Sequence, residues 1–277
     1  MLERKRKLDC ANGREKADLV LKNGNVLNVF TEEVLKADVA ICGDTIVGVG
    51  EYEGKEEIDC TGKYLVPGFI DAHMHIESCM AAPGELAKVL AKAGTTTIIA
   101  DPHEIVNVSG TKGMDYFLKC AAKLLVNVFF MVPSAVPATD VETNGCGEFL
   151  ASDMMKYVDN ARVLGLGETM RFMECCEGEK RMADKLELFA KKHIDGHAPG
   201  IRGKEVQAYR LAGVENDHEC STAEEVLDKL RAGLHIYVRE GSGAKNLETL
   251  IKTMLDAGVC LDLSLIHISE PTRQAEI

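Results

Sequence analysis

From Phe69 onward the chain repeats one pattern: a short apolar run, a polar cluster at its end, then a stretch with helical periodicity. Thr95-Thr96-Thr97-Ile98-Ile99-Ala100 ends in Asp101-Pro102-His103-Glu104, Asn127-Val128-Phe129-Phe130-Met131-Val132 in Pro133-Ser134, and Val163-Leu164-Gly165-Leu166-Gly167 in Glu168. His193-Ile194-Asp195-Gly196 ends in His197-Ala198-Pro199-Gly200, Gly213-Val214-Glu215-Asn216-Asp217 in His218-Glu219, and His235-Ile236-Tyr237-Val238 in Arg239-Glu240-Gly241-Ser242. Amphipathic stretches at 85–93, 114–125, 180–192, 222–232 and 247–257 read as the intervening helices. Strand–helix alternation implies a parallel sheet, because parallel neighbours need a crossover connection. The polar clusters all fall at the C-terminal ends of strands, which is the catalytic face of a closed barrel. An open doubly wound sheet would gather its ligands at a switch point instead. The expected class is therefore α/β, a (β/α)8 TIM-type barrel over residues 65–263, incomplete at about seven strand–helix units.

The first barrel strand carries the sharpest chemical signal, in Leu65-Val66-Pro67-Gly68-Phe69-Ile70-Asp71-Ala72-His73-Met74-His75-Ile76-Glu77-Ser78. Side chains two apart on a strand share a side, so His73 and His75 converge while Met74 faces away. A His-x-His pair alone is weak evidence for a metal. A set at equivalent strand ends is stronger: His73 and His75 after the first strand, Glu168 after the fourth, His197 after the fifth and His218 after the sixth. Four imidazoles and a carboxylate on one rim can hold two divalent ions, with the carboxylate between them.

Residues 1–64 have a different rhythm. After a charged, helix-compatible start, short strand-like runs are cut by Asn23-Gly24 and Gly43-Asp44, and read as a small, incomplete β-sandwich-like subdomain. It is expected to pack on the barrel or to await further strands. The net charge of -12 over 277 residues shows no basic face for phosphates, so no nucleic acid partner is expected. No run of 18 apolar residues exists, and residues 1–7 lack the apolar core of a signal peptide; neither a membrane partner nor export is expected, and the location is cytoplasmic. The ten cysteines are scattered without Cys-x-x-Cys spacing, which suits reduced core residues and excludes the zinc deaminase signature built on two cysteines. Gly241-Ser242-Gly243 is no nucleotide fingerprint, because the spacing fails.

The strand-end constellation resembles the amidohydrolase superfamily. Within it, Asp101-Pro102-His103-Glu104, Asp195-Gly196-His197-Ala198-Pro199-Gly200, Gly165-Leu166-Gly167-Glu168, Asp217-His218-Glu219 and Arg239-Glu240-Gly241-Ser242 are similar to the bacterial adenine deaminase family, over about residues 17–263. The resemblance implies a metal-dependent aminohydrolase of purine salvage, converting adenine to hypoxanthine and ammonia with hydroxide generated at a binuclear centre. The ions would be manganese or iron, with zinc as the alternative. His73 and His75 would bind the first ion, His197 and His218 the second, and Glu168 would bridge them, where many relatives use a carbamylated lysine. Glu168 and His218 would be the catalytic residues, the small-molecule partner adenine, and the full-length protein a homo-oligomer. Glu77, Asp101, His103 and Glu104 lie where they could bind substrate or tune the metals, Arg239 and Ser242 could reach the purine, and Glu219 could support His218.

The C-terminus departs from the family. The superfamily places a metal-binding, proton-shuttling aspartate after the eighth strand, and no strand ending in Thr-Asp-Asp is found. Residues 263–268 read alone would offer an eighth strand with His267 as a ligand. The tail instead resembles the peptide encoded by a sequencing-library adapter, so residues 264–277 are expected to be non-native, the barrel edge open and the fragment inactive. Two other readings stay open: another binuclear-metal amidohydrolase acting on a cyclic amide or aminopurine, and a non-catalytic barrel.

Overall fold

A computed structural model of the chain describes residues 2–240, 245–259 and 264–267. It divides into two compact units, Met1–Gly68 and Phe69–Ile277.

In the first unit a helix, α1 (Leu2–Ala11), precedes five strands, β1 (Ala17–Asn28), β2 (Glu33–Cys42), β3 (Thr45–Gly50), β4 (Gly54–Asp59) and β5 (Tyr64–Leu65). They form one sheet in the order β3-β2-β1-β4, with β5 also paired to β1. Gly43-Asp44 is the tight turn between β2 and β3, as its sequence predicts. Asn23-Gly24 is not a turn. It forms a bulge inside β1, where the register against β2 slips between Leu21 and Gly24 and Asn23 takes a φ of 60°. Asparagine tolerates that left-handed region, and Asp38 holds the bulge by accepting from the Asn23 amide at 2.9 Å and from Lys22 Nζ at 2.6 Å.

The second unit alternates strand and helix throughout. Its strands are β6 (Phe69–Met74), β7 (Thr95–Ala100), β8 (Asn127–Pro133), β9 (Val163–Thr169), β10 (His193–Gly196), β11 (Asn216–Asp217), β12 (His235–Arg239) and β13 (Ser264–His267). Between them run α2 (Pro83–Lys92), α3 (His103–Ser109), α4 (Thr111–Ala121), α5 (Ala151–Met154), α6 (Phe172–Glu177), α7 (Lys180–Leu188), α8 (Lys204–Leu211), α9 (Ala223–Arg231) and α10 (Leu247–Asp256). Strands β6 to β10 form a five-stranded parallel sheet, and β11, β12 and β13 a three-stranded parallel one. The two meet at β10 and β11, where the Glu215 amide donates to the Ile194 carbonyl at 3.0 Å. Cα atoms of β13 come within 8 Å of those of β6, but among the described residues no strand pairing joins the two, and the sheets together form an incomplete barrel.

The strands are largely apolar because helices cover their outer face and side chains of the other strands fill the inner one. Val128, Phe130, Val132 and Leu166 pack with Met114, Phe117, Met182 and Val206 from the helices in one buried cluster. Ile236, Val238, Leu250 and Met254 form a second around β12. Among the described residues no helix is long and apolar enough to cross a membrane.

The barrel is incomplete, as expected, since among the described residues no strand pairing joins β13 to β6; what differs from expectation is that the β12 edge is covered. Ser264–His267 extends along β12, pairing Ile236 with Ser264 through Arg239 with His267. The physical reason is that an unpaired β12 edge leaves a row of backbone donors and acceptors for any extended segment to satisfy. Residues 268–277, most of the tail read as non-native, lie outside the described residues. Shortening the chain to residues 1–263 is therefore expected to lower the thermal midpoint and raise concentration-dependent self-association; unchanged melting and a light-scattering mass unaffected by concentration would show that β13 contributes nothing.

Candidate metal centre

The ends of β6, β7, β9, β10 and β11 place their polar residues around one carboxylate, that of Glu168 at the end of β9. Its Oε1 lies 3.0 Å from His73 Nε2, 3.4 Å from His75 Nε2, 3.5 Å from His197 Nδ1 and 2.9 Å from His218 Nε2. Its Oε2 lies 3.4 Å from His103 Nδ1. The imidazoles also crowd one another, with the His73 and His218 ring centroids 4.2 Å apart.

The backbone here is held as firmly as the side chains. Ser134 Oγ donates to the Glu168 carbonyl at 2.7 Å, and Thr169 Oγ1 donates to the Asp195 carbonyl at 2.8 Å. Gly167 is required because the Asp101 carboxylate lies over it: a Cβ there would meet Asp101 Oδ2 at 2.1 Å. His75 is oriented from behind by its Nδ1 contact of 2.9 Å to the Asp101 carbonyl.

This is a donor set without internal saturation. Both Asp101 oxygens, Glu104 Oε2, His103 Nδ1 and His197 Nδ1 are buried without a hydrogen-bond partner, in a shell where unpaired polar atoms are costly. Ligand atoms of His73, Glu168 and His218 lie within 4.8 Å of one another, as do those of His75, His103 and Glu104, those of His197, His218 and Glu219, and those of Asp101, His103 and Glu168. Imidazole nitrogens and carboxylate oxygens converging in this way suit a divalent metal ion.

A family model described as the amidohydrolase family matches residues 64–275. The chain belongs to the amidohydrolase family. It is 49% identical over 272 residues to an adenine deaminase of Desulfitobacterium hafniense, covering 96% of this chain and 47% of that protein. It is 50% identical over 248 residues to an adenine deaminase of Clostridium acetobutylicum, covering 89% of this chain and 43% of that protein. The chain thus spans less than half the length of these curated relatives. Among solved structures, a beta-aspartyl dipeptidase of Fervidobacterium islandicum AW-1 shares the fold at a TM-score of 0.62 and 18% identity, covering 92% of this chain and 73% of that one. A variant of the atrazine chlorohydrolase TrzN of Arthrobacter aurescens, complexed with zinc and atraton, does so at 0.59 and 14%, covering 92% and 72%.

In this amidohydrolase rim the residues singled out from sequence come together with one exception: Ser242 lies outside the described residues. His103, expected near substrate or as a tuning group, stands among the candidate ligands. Arg239 grips Glu219 in a fork, with Nη1 at 2.6 Å and Nη2 at 3.2 Å, and Glu219 Oε1 lies 3.5 Å from His218 Nε2. Glu77 Oε1 accepts from the Ile105 amide at 3.0 Å, while Oε2 is buried and unpartnered. Sequence inspection does not find Tyr209, whose buried hydroxyl donates to the Thr169 carbonyl at 2.9 Å and accepts from the His197 amide at 3.0 Å. Nothing in an amphipathic helix pattern marks it.

The electrostatics follow from crowding in a dry site. Burial pushes the Glu168 carboxyl up, but the imidazoles of His197, His218, His73 and His75 outweigh it and hold the group well below its ordinary range. Burial and the charge of Glu168 push Asp101 well above its own. Burial, with the neighbouring His218, lowers His73 to about 4. Burial also opposes protonation of His75 and His218, yet both are raised, His75 by Glu104 and Glu168 and His218 by Glu168. Burial and the charge of Glu104 raise Glu77 to about 7.

These directions fix the sign of a pH dependence. His75 and His218 titrate higher in the folded than in the unfolded state, so the stability they lend the metal-free protein is full below the ordinary imidazole value and lost as pH rises through their folded values. A divalent ion must displace the same protons, so its affinity rises across that window. Between about pH 6 and about pH 9 the thermal midpoint of metal-free protein should fall, while the extra stabilisation from Mn(II) should grow. Parallel slopes would contradict the assignment.

Proposed function

We propose that the protein is a metal-dependent aminohydrolase that converts adenine to hypoxanthine and ammonia. The observation that carries this reading is the convergence of four histidines on the buried Glu168 carboxylate, in a chain about half identical to adenine deaminases. We infer two ions, manganese or iron with zinc as the alternative, His73 and His75 holding one, His197 and His218 the other, and Glu168 between them. When bound, the ions supply Lewis acidity that makes hydroxide available near neutral pH.

The chain's own residues supply the rest. Glu168, held ionised, anchors the centre, and the imidazoles of His73 and His218 stack beside it. The Arg239 fork keeps Glu219 against His218. Glu77, whose buried Oε2 is unpartnered, is proposed with Asp101, His103 and Glu104 to bind substrate or tune the metals. The scattered cysteines without Cys-x-x-Cys spacing fit a reducing compartment and the cytoplasmic location we propose. On family resemblance the full-length protein is proposed to be a homo-oligomer.

We propose, on the reading of residues 264–277 as non-native, that these 277 residues lack the aspartate that the resemblance implies after the eighth strand. The 277-residue chain is therefore expected to bind metal and to leave adenine unchanged; hypoxanthine formation by this chain, followed spectrophotometrically, would overturn that. In a polypeptide extended to the length of its relatives, adenine should be deaminated in preference to other aminopurines and cyclic amides in a substrate panel. There Glu168→Gln should abolish deamination and lower metal content by elemental analysis, and wild-type turnover in that variant would remove Glu168 from the centre.

A further inference from the structure

The incomplete barrel has a seam. The five-stranded and three-stranded sheets meet at β11, which is only two residues long, and the two candidate ligands of one ion, His197 and His218, stand on opposite sides of that junction. Few ladder hydrogen bonds cross there, so side chains take their place. The Gly196 amide donates to Asn216 Oδ1 at 2.9 Å and the Ala198 amide to Asp217 Oδ2 at 3.0 Å.

At the centre of this substitute ladder is Lys229 of α9, fully buried. Its ammonium has three hydrogens and three near partners: the Ala198 carbonyl at 2.7 Å, Glu225 Oε1 at 2.8 Å and Asp217 Oδ2 at 2.9 Å. Ala198 is the residue after His197 and Asp217 the residue before His218, so one cation grips the immediate neighbour of each ligand. The carboxylates extend the grip. Asp217 Oδ1 accepts from the Glu219 amide at 2.6 Å, and Glu225 accepts from the Gly200 amide at 2.7 Å and the Ser221 amide at 3.1 Å. Both ligand loops, 197–200 and 217–221, therefore hang on one buried trio.

We propose that Lys229 is a positioning residue that sets the separation of His197 and His218 across the seam and thereby the affinity of the ion those two hold. The inference rests on the metal-centre reading above. Packing alone gives no reason for the lysine, because well-packed apolar residues commonly replace a buried ion cluster without loss of stability. Chelation does, since ligand distances must fall within about 0.2 Å of their preferred values. The same device recurs next to it. Tyr209 of α8 ties the Thr169 carbonyl to the His197 amide, and Lys185 of α7 donates to the Ser134 carbonyl at 2.6 Å, beside the hydroxyl that holds the Glu168 backbone.

The test is calorimetric titration of Mn(II) into the metal-free 277-residue chain and the variants Lys229→Met, Lys229→Gln and Leu250→Ala. Leu250 lies in the apolar cluster around β12, which includes Cys220 of the 217–221 loop, but its side chain makes none of the hydrogen bonds centred on Lys229, so its variant controls for lost packing beside that loop. The expected result is two sites in the unaltered chain. In Lys229→Met one of them should weaken by about 10–100-fold while the other is unchanged. Lys229→Gln, which keeps a donor toward Ala198, should lie between and carries the comparison if Lys229→Met fails to fold. Leu250→Ala should melt earlier with both affinities intact. Two unaltered sites in the lysine variants, or equal weakening in these and in Leu250→Ala, would overturn the positioning role. No Mn(II) uptake by the unaltered chain would instead remove the metal centre itself, and this inference with it.

Discussion

Everything at the rim depends on a single anion. A carboxylate as buried as that of Glu168 is costly in a low-dielectric interior unless cationic or donor groups surround it. Here the surrounding groups are four imidazoles on its Oε1 and a fifth toward its Oε2, delivered by four other strand ends. Each part of the local fold keeps that carboxylate in place: Gly167 makes room for Asp101, Ser134 holds the Glu168 carbonyl, and Thr169 fastens the next residue to the neighbouring strand. Protons on His75 and His218 can balance the charge, and so can divalent ions. That competition makes the rim both a structural junction and a binding site.

The second determinant is the place where the barrel is weakest. A two-residue strand cannot supply a ladder, and the structure answers with a buried lysine, two carboxylates and an asparagine. Such a cluster is demanding. Removing one partner from a buried ion pair typically costs about 3–5 kcal/mol, because the remaining charge is left without compensation. A junction held by directional bonds also has one geometry, whereas an apolar contact of equal strength could slide.

Much of this architecture is legible in the sequence, for identifiable reasons. Parallel strands buried on both faces give continuous apolar runs, and strand ends concentrate polar residues, so the alternation and the rim of His73, His75, Glu168, His197 and His218 can be read directly. What cannot be read is whatever depends on which side of an element faces inward. Lys229 looks like an ordinary solvated residue of an amphipathic helix, since lysine is seldom buried without partners, and its partners come from other segments of the chain. His103 is marked by its place at a strand end, but its approach to Glu168 Oε2 depends on how α3 opens there. Asn23-Gly24 has turn chemistry that serves equally well in a bulge, and only the pairing of β1 with β2 decides between them. The strand at Ser264–His267 belongs to the same class, because its place is set by the partner edge it meets.

The order of the ligands along the chain has a kinetic consequence. His73 and His75 are neighbours, but Glu168, His197 and His218 reach them only after several intervening helices have formed and packed. Bringing such distant segments together requires loop closures that slow folding relative to local structure. An excised stretch carries at most a local part of the rim, such as His73 with His75, His103 with Glu104 or His218 with Glu219, and never the four histidines around Glu168. The coordination geometry is thus a property of the assembled sheets, and a partly folded chain offers a passing metal ion only such local pairs.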